Sequence, residues 1–342
     1  MQLPDYNVHP GPFWLITILH LLTLTLHFAA MNFLVGGVIA VLWGKFTDRW
    51  SHPVVQRFIK LFPAAMAATV TLGVAPLLFL QLAFPRQTYA AGIVSGWFWL
   101  EVIDAVLIAY YLLYMASMSK KPGKGRRPIY LTIALALMLY VSIVYSSVFS
   151  LVERPAEIAT LYAQNQSGLL LNTHVDEYLF RWLHMIFGAM TVGGFFVGLV
   201  GRDNDEAFRV GRGFFLWGMV ITSAFGIGYL VSLGEALPKL MHTPAIWALT
   251  LGVILSAGSL HFFFTKRFAP AGAMLGVSLL SMVITRHYVR LINLEGIYDP
   301  SAVPVRPQWS VFWLFIVFFV IAVVVVWYML RMFFSAEKRQ TG

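Results

Sequence analysis

The 342 residues carry 59% hydrophobic side chains and only 11% charged ones, with a mean hydropathy of +0.76. Such a balance excludes an ordinary water-soluble domain, in which about 25% of residues are charged. The absence of cysteine excludes disulfides, thiolate zinc sites, iron–sulfur clusters and covalently attached c-type haem, leaving His, Met, Glu and Asp as metal ligands. The formal charge of +9 sits in short gaps between apolar runs, which signals membrane topology and argues against a nucleic-acid partner.

A helix that crosses the hydrocarbon layer needs about 20 mostly apolar residues. Nine such runs follow one another, over 13–43, 61–84, 88–118, 128–152, 178–201, 211–234, 243–265, 268–292 and 308–333. The whole chain, 1–342, therefore reads as one all-α transmembrane domain. The first run starts after Pro10-Gly11-Pro12 and has no small-residue cleavage motif, so it reads as a retained helix. Alternate loops hold 17 Lys and Arg residues on one side, including Lys45, Arg49, Lys120, Lys121, Lys124, Arg126 and Arg127, against seven on the other. By the positive-inside rule the amino terminus is outside and the carboxyl terminus cytoplasmic, which requires an odd number of spans and agrees with nine. Trp97, Trp99, Trp182, Trp309 and Trp313 fall near the outer boundary, where amphipathic rings anchor at headgroups. Gly36-Gly37, Gly193-Gly194 and Gly226/Gly228 read as points of close helix approach. No internal repeat and no phosphate-cradling loop is evident.

The candidate chemistry lies in histidines and two acids. His20 and His27 on the first span, His184 on the fifth, His261 on the seventh and His287 on the eighth are intramembrane, with His242 at the outer mouth of the seventh. An imidazole in lipid must be paired, face a cavity or bind a metal. His20 and His27 are seven residues apart, which places them on one helix face about 10 Å apart along the axis. Distances from the span ends place His20, His184, His242 and His287 near the outer leaflet, His27 near the middle and His261 toward the cytoplasmic side. Neutral imidazoles on different helices suit a b-type haem, whose iron takes axial ligands from opposite sides; a hydrogen-bonded core residue is the alternative for each one singly. His9, His52 and His174 fall in loops and are expected to be solvated. Glu101 and Asp104, within one turn of each other on the third span, are the only acids inside the spans. Burial there would suit them to proton transfer or to a quinol hydrogen bond.

In order and spacing these motifs resemble subunit I of cytochrome bd quinol oxidase. The likeness rests on Leu19-His20-Leu21 running to Gly44-Lys45, on Trp99-Leu100-Glu101 followed by Asp104, on Phe180-Arg181-Trp182-Leu183-His184 with Gly188 and Gly193-Gly194, and on Arg306-Pro307-Gln308-Trp309. The resemblance implies a nine-span fold and haem b, with His20 and His184 as iron ligands and Glu101 and Asp104 on a proton path. Three features depart from the family. Trp313 stands where a haem-ligand Glu is expected, the loop between spans six and seven is only about 234–242, and Met241 or His242 replaces the expected methionine ligand. These departures speak against oxygen reduction.

The expectation is a subunit of a bacterial-type inner membrane that carries one or two haems b and passes electrons between quinone and periplasmic or extracellular c-type cytochromes. His184 with His242 would hold one haem and His20 with His287 another. Since the chain carries no cysteine, further membrane subunits and a multihaem or c-type cytochrome must be separate partners. The alternatives are a divergent bd-type terminal oxidase subunit and a haem-free quinone-binding anchor or proton-relay transporter.

Overall fold

A computed structural model describes residues 8–119 and 125–340. Nine described helices are long and apolar enough to cross a membrane, and the protein is an all-α, multi-pass membrane protein. In chain order the helices are α1 (Phe13–Trp43), α2 (Pro53–Ala83), α3 (Pro85–Val94), α4 (Gly96–Met118), α5 (Arg127–Leu151), α6 (Pro155–Gln164), α7 (Val175–Val200), α8 (Asp205–Ser232), α9 (Ala236–Met241), α10 (Ala245–Phe264), α11 (Phe268–Asn293) and α12 (Trp309–Gln340). Because the long helices alternate in direction, the short helices α3, α6 and α9 and the 3-10 turn Pro300–Ala302 all lie at one end of the bundle, called here the capped end. Lys120, Lys121 and Lys124 of the basic loops lie outside the described residues.

Three boundaries differ from the apolar runs. The second helix begins at Pro53, where proline occupies the first turn and His52 Nδ1 accepts from the Val54 N–H at 3.3 Å. Polar Gln56, Arg57 and Lys60 simply continue that helix beyond the apolar stretch. The run 88–118 is two helices, because the chain breaks at Ser95-Gly96, where the Trp97 N–H donates to the Gly168 carbonyl at 3.1 Å. The last helix continues through polar residues to Gln340.

The structure also overturns the expectation of no repeat. On α1, His27 is followed nine residues later by Gly36-Gly37 and then by Leu42, Gly44, Lys45 and Asp48; on α7, His184 is followed nine residues later by Gly193-Gly194, then by Leu199, Gly201, Arg202 and Asp205. On the partner helices, Phe62, Met66, Thr69 and Gly73 of α2 recur with the same steps of four, three and four residues as Phe215, Met219, Thr222 and Gly226 of α8. The packing repeats as well. Gly36 and Gly193 meet at the junction of α1 and α7, where a Cβ on Gly36 would lie 2.6 Å from the Ala189 carbonyl carbon and 2.9 Å from the Gly193 nitrogen. Gly37 faces Phe58 and Phe62, and Gly194 faces the backbone at Gly211 and Phe215. Across the junction the contacts are reciprocal, with α1 packing on α11 and α5 on α7. The fold is thus two four-helix halves, α1/α2/α4/α5 and α7/α8/α10/α11, with α12 added. Only sparse identities recur between the halves, and the paired glycines among them fall at close approaches of the backbone.

At the capped end one buried carboxylate ties the halves together. Glu153 accepts from Arg286 Nη1 at 2.9 Å, makes a second bond to Arg286 Nη2, and accepts from Asn293 Nδ2 at 2.9 Å; Arg290 Nε lies 3.4 Å away. Burial alone would raise the pKa of Glu153, but Arg286, Arg290 and Arg181 outweigh it and hold the carboxyl below its ordinary value. Arg181 donates to the Ser146 carbonyl at 2.5 Å, which brings α7 onto α5. α12 differs from the other spans. None of its apolar window is buried, and Val311, Phe315, Phe318 and Val323 are all exposed.

Candidate functional site

Three intramembrane histidines share one local design. His20 Nδ1 donates to the Pro76 carbonyl at 3.0 Å, His27 Nδ1 to the Thr69 carbonyl at 3.0 Å and His184 Nδ1 to the Thr222 carbonyl at 2.9 Å. A carbonyl can only accept, so the proton resides on Nδ1. In the neutral ring the lone pair is then on Nε2. Metal-ligating histidines are oriented in the same way, by giving the other ring N–H to a carbonyl or carboxylate. The seven-residue spacing of His20 and His27 on α1 is matched by Pro76 and Thr69 on α2, so both rings occupy the α1–α2 seam as the sequence implied.

Glycine makes two of these seats. A Cβ at Gly73 would lie 2.9 Å from His27 Nδ1 and Cε1, and a Cβ at Gly226 would lie 2.9 Å from His184 Nδ1. Each ring therefore lies flush against the neighbouring backbone, where no larger residue fits.

The outer cluster is smaller than the sequence suggested. His20 is buried on α1, and His287 and Arg290 are buried on α11, which packs on α1. Phe13, seven residues before His20, packs on the His287 ring with centroids 6.2 Å apart. His184 does not belong to this group, because it sits at the depth of its repeat counterpart His27. His242 is exposed at the end of α9 with Nδ1 2.8 Å from the Pro238 carbonyl, and His261 is exposed on α10. His9 and His52, expected to be solvated, are instead buried. His9 Nε2 lies 3.2 Å from the Pro300 carbonyl, so it pins the amino-terminal segment to the loop before α12.

Next to Arg290, whose Nε is engaged by Glu153 at 3.4 Å, two buried polar atoms find no hydrogen-bond partner among the described residues: His287 Nδ1 and Tyr229 Oη. Tyr229 on α8 packs against the cluster that holds Val289, the neighbour of Arg290 on α11. Orphaned groups of this kind are costly when buried, at about 1–3 kcal/mol each. Two of them in this region suit a bound group with polar atoms of its own. No group of three or more His, Asp or Glu side chains converges among the described residues as a bare metal ion would need. A porphyrin, which brings four nitrogens of its own, requires only one or two imidazoles. Arg290 and Tyr229 carried no motif that could have singled them out. The Thr-x-x-x-Gly spacing shared by α2 and α8 was legible, but only once the two histidines were aligned.

Glu101 and Asp104 were expected in the bundle interior, and the structure corrects this. Both are exposed on the outward face of α4, beside Leu100, Ile103 and Leu107, which are also exposed. Burying those apolar neighbours in lipid requires this face to look outward, and the acids go with it. Glu101 accepts a hydrogen bond from Tyr140 on α5. Trp97, Trp309 and Trp313 are exposed as an interfacial belt requires, whereas Trp99 packs edge-on to Tyr145 at 5.0 Å and Trp182 Nε1 donates to Ser142 Oγ at 2.7 Å. A cavity of about 310 Å³ at the uncapped end, among Ile39, Trp43, Leu135, Ile186 and Met190, is lined by apolar side chains and offers no chemistry of its own.

Compared with known protein families and with curated proteins, the chain matches no family model and no curated relative.

Proposed function

We propose that this protein is a haem b membrane subunit that passes electrons between quinone in the bilayer and c-type cytochromes at the capped end. The observation that carries this reading is the pair of buried imidazoles His20 and His287 on the packed helices α1 and α11, with His287 Nδ1 and Tyr229 Oη left without a hydrogen-bond partner among the described residues. Haem, when bound, supplies reversible one-electron chemistry. The protein's part is to ligate, bury and orient. His20 offers Nε2 because Nδ1 is committed to Pro76, and Tyr229 offers a donor to a propionate oxygen. His184 offers Nε2 in the same way from α7.

The lipid-facing position of Glu101 and Asp104, with Tyr140 bonded to Glu101, suits quinol arriving from the bilayer, since a proton leaving its hydroxyl needs an acceptor there. The resemblance to cytochrome bd subunit I supports the same cofactor, and Trp313 in place of a ligand carboxylate disfavours oxygen as acceptor. The charge bias of the loops supports a cytoplasmic-membrane location with the capped end outward. The exposed apolar side chains of α12, among them Val311, Phe315, Phe318 and Val323, support further membrane subunits as partners.

Reduced-minus-oxidised spectra of membranes containing the wild type, His20→Ala, His287→Ala and His184→Ala test the assignment. Each substitution should remove one b-type signal or convert it to high spin. Spectra unchanged by all three would refute it.

A further inference from the structure

Resting on the haem-binding function proposed above, we infer that His27 is a haem-iron ligand equivalent to His184, so that each half of the duplicated bundle holds one haem. Three observations coincide at these two positions. Each histidine precedes a Gly-Gly pair by nine residues, on the helix that meets its counterpart at Gly36 and Gly193. Each gives Nδ1 to the carbonyl of a threonine on the next long helix, Thr69 or Thr222. Each ring lies over the glycine four residues beyond that threonine, where a Cβ would come within 2.9 Å of Nδ1.

The halves therefore conserve the whole seat. They do not conserve the residues above it, since position 20 of the first half corresponds to Glu177 of the second. A histidine needed only to hold two helices together could have drifted to Ser or Thr, which also bond a carbonyl and cost less to bury. What imidazole adds is a lone pair on the far nitrogen, and in both halves that nitrogen is left free by the bond at Nδ1.

Helix geometry fixes the number of sites. Nine residues are two and a half turns at about 100° per residue, so His27 lies on the face of α1 opposite Gly36. The same holds for His184 and Gly193 on α7. The two imidazoles thus point away from the junction, each into its own half, and cannot grip one iron between them. A pair of equivalent sites follows, in addition to the His20–His287 position at the capped end.

Asparagine separates ligation from helix stapling, because its amide nitrogen sits near the place of Nδ1 and keeps the bond to the threonine carbonyl, with nothing at Nε2. Haem b per polypeptide would be measured by the pyridine haemochrome method on the purified full chain with its natural partners, for wild type, His27→Asn, His184→Asn and the double variant. The expected result is the loss of one haem equivalent in each single variant and of two in the double. His27→Gly should regain the lost signal when imidazole is added. Wild-type haem content in His27→Asn, alongside loss in His184→Asn, would overturn the inference while leaving the function standing. So would a loss in His27→Gly that imidazole does not restore. A wild type without haem would refute the function itself.

Discussion

Replacing Gly36 by Ala probes the axis of the duplicated fold. A methyl there would sit 2.6 Å from the Ala189 carbonyl carbon and 2.9 Å from the Gly193 nitrogen. Carbon atoms in contact lie about 3.5–4.0 Å apart, and the Ala189 carbonyl oxygen lies closer still, so α1 and α7 would have to separate by at least about 1 Å. The obstacle is backbone on both sides, with no flexible side chain to turn aside. Overpacking typically costs about 1–3 kcal/mol, and this site belongs at the top of that range. At about 3 kcal/mol the folding equilibrium would fall roughly 100-fold. Gly276 on α11 is the control, since nothing lies within 4 Å of its Cβ position. There the same substitution adds helix propensity and should stabilise by up to about 1 kcal/mol. Unfolding in mixed micelles by increasing SDS, followed by tryptophan fluorescence, would rank wild type, Gly36→Ala and Gly276→Ala. Gly193→Ala should match Gly36→Ala, because its Cβ would lie 2.7 Å from Gly36 Cα. If Gly36→Ala unfolded at the same SDS fraction as Gly276→Ala, the close junction of the halves would be wrong.

Glu153→Gln should destabilise the protein by about 3–5 kcal/mol, because it leaves half-buried Arg286 and buried Arg290 without their carboxylate; a midpoint equal to that of wild type would contradict this. The folded pKa of Glu153 is depressed, so its stabilisation is complete above the ordinary carboxylate value of about 4.3 and is lost as pH falls below it. Glu153→Gln should therefore flatten the acid limb of stability against pH. Asp104→Asn and Glu101→Gln should slow quinol-driven haem reduction while leaving dithionite-driven reduction unchanged, and equal slowing of both would refute a role at the quinol step. The isolated subunit should show no quinol-dependent oxygen uptake at oxidase-like rates, and uptake abolished by His20→Ala would instead establish an oxidase. Gentle extraction followed by native mass spectrometry should find further membrane subunits and an outer redox protein, and a fully active, haem-loaded monomer would refute that.

The spans were legible in the sequence because a 20-residue apolar run has few other fates in a chain this poor in charge. Ser95-Gly96 was missed because a break inside a continuous apolar stretch leaves no mark in hydropathy. The shared seam of His20 and His27 followed from helical spacing alone. By contrast, His20, His184, His242 and His287 were gathered by depth, which says nothing of the neighbour each one packs on. His184 belongs to α8 through Thr222, and His287 to α1 through Phe13. Glu101 and Asp104 were read as interior because acids in a span usually are; their neighbours Ile103 and Leu107 turn that face outward. The repeat escaped notice because its identities are single residues separated by unrelated apolar ones, and only the glycine contacts and histidine bonds reveal which of them matter.

The claim that this bundle is a haem carrier is tested most directly by the haem content of the purified wild-type chain. Extraction and the pyridine haemochrome spectrum should give haem b in whole-number ratio to polypeptide, reducible by quinol. A folded protein purified with its partners that contains no haem would contradict the claim outright.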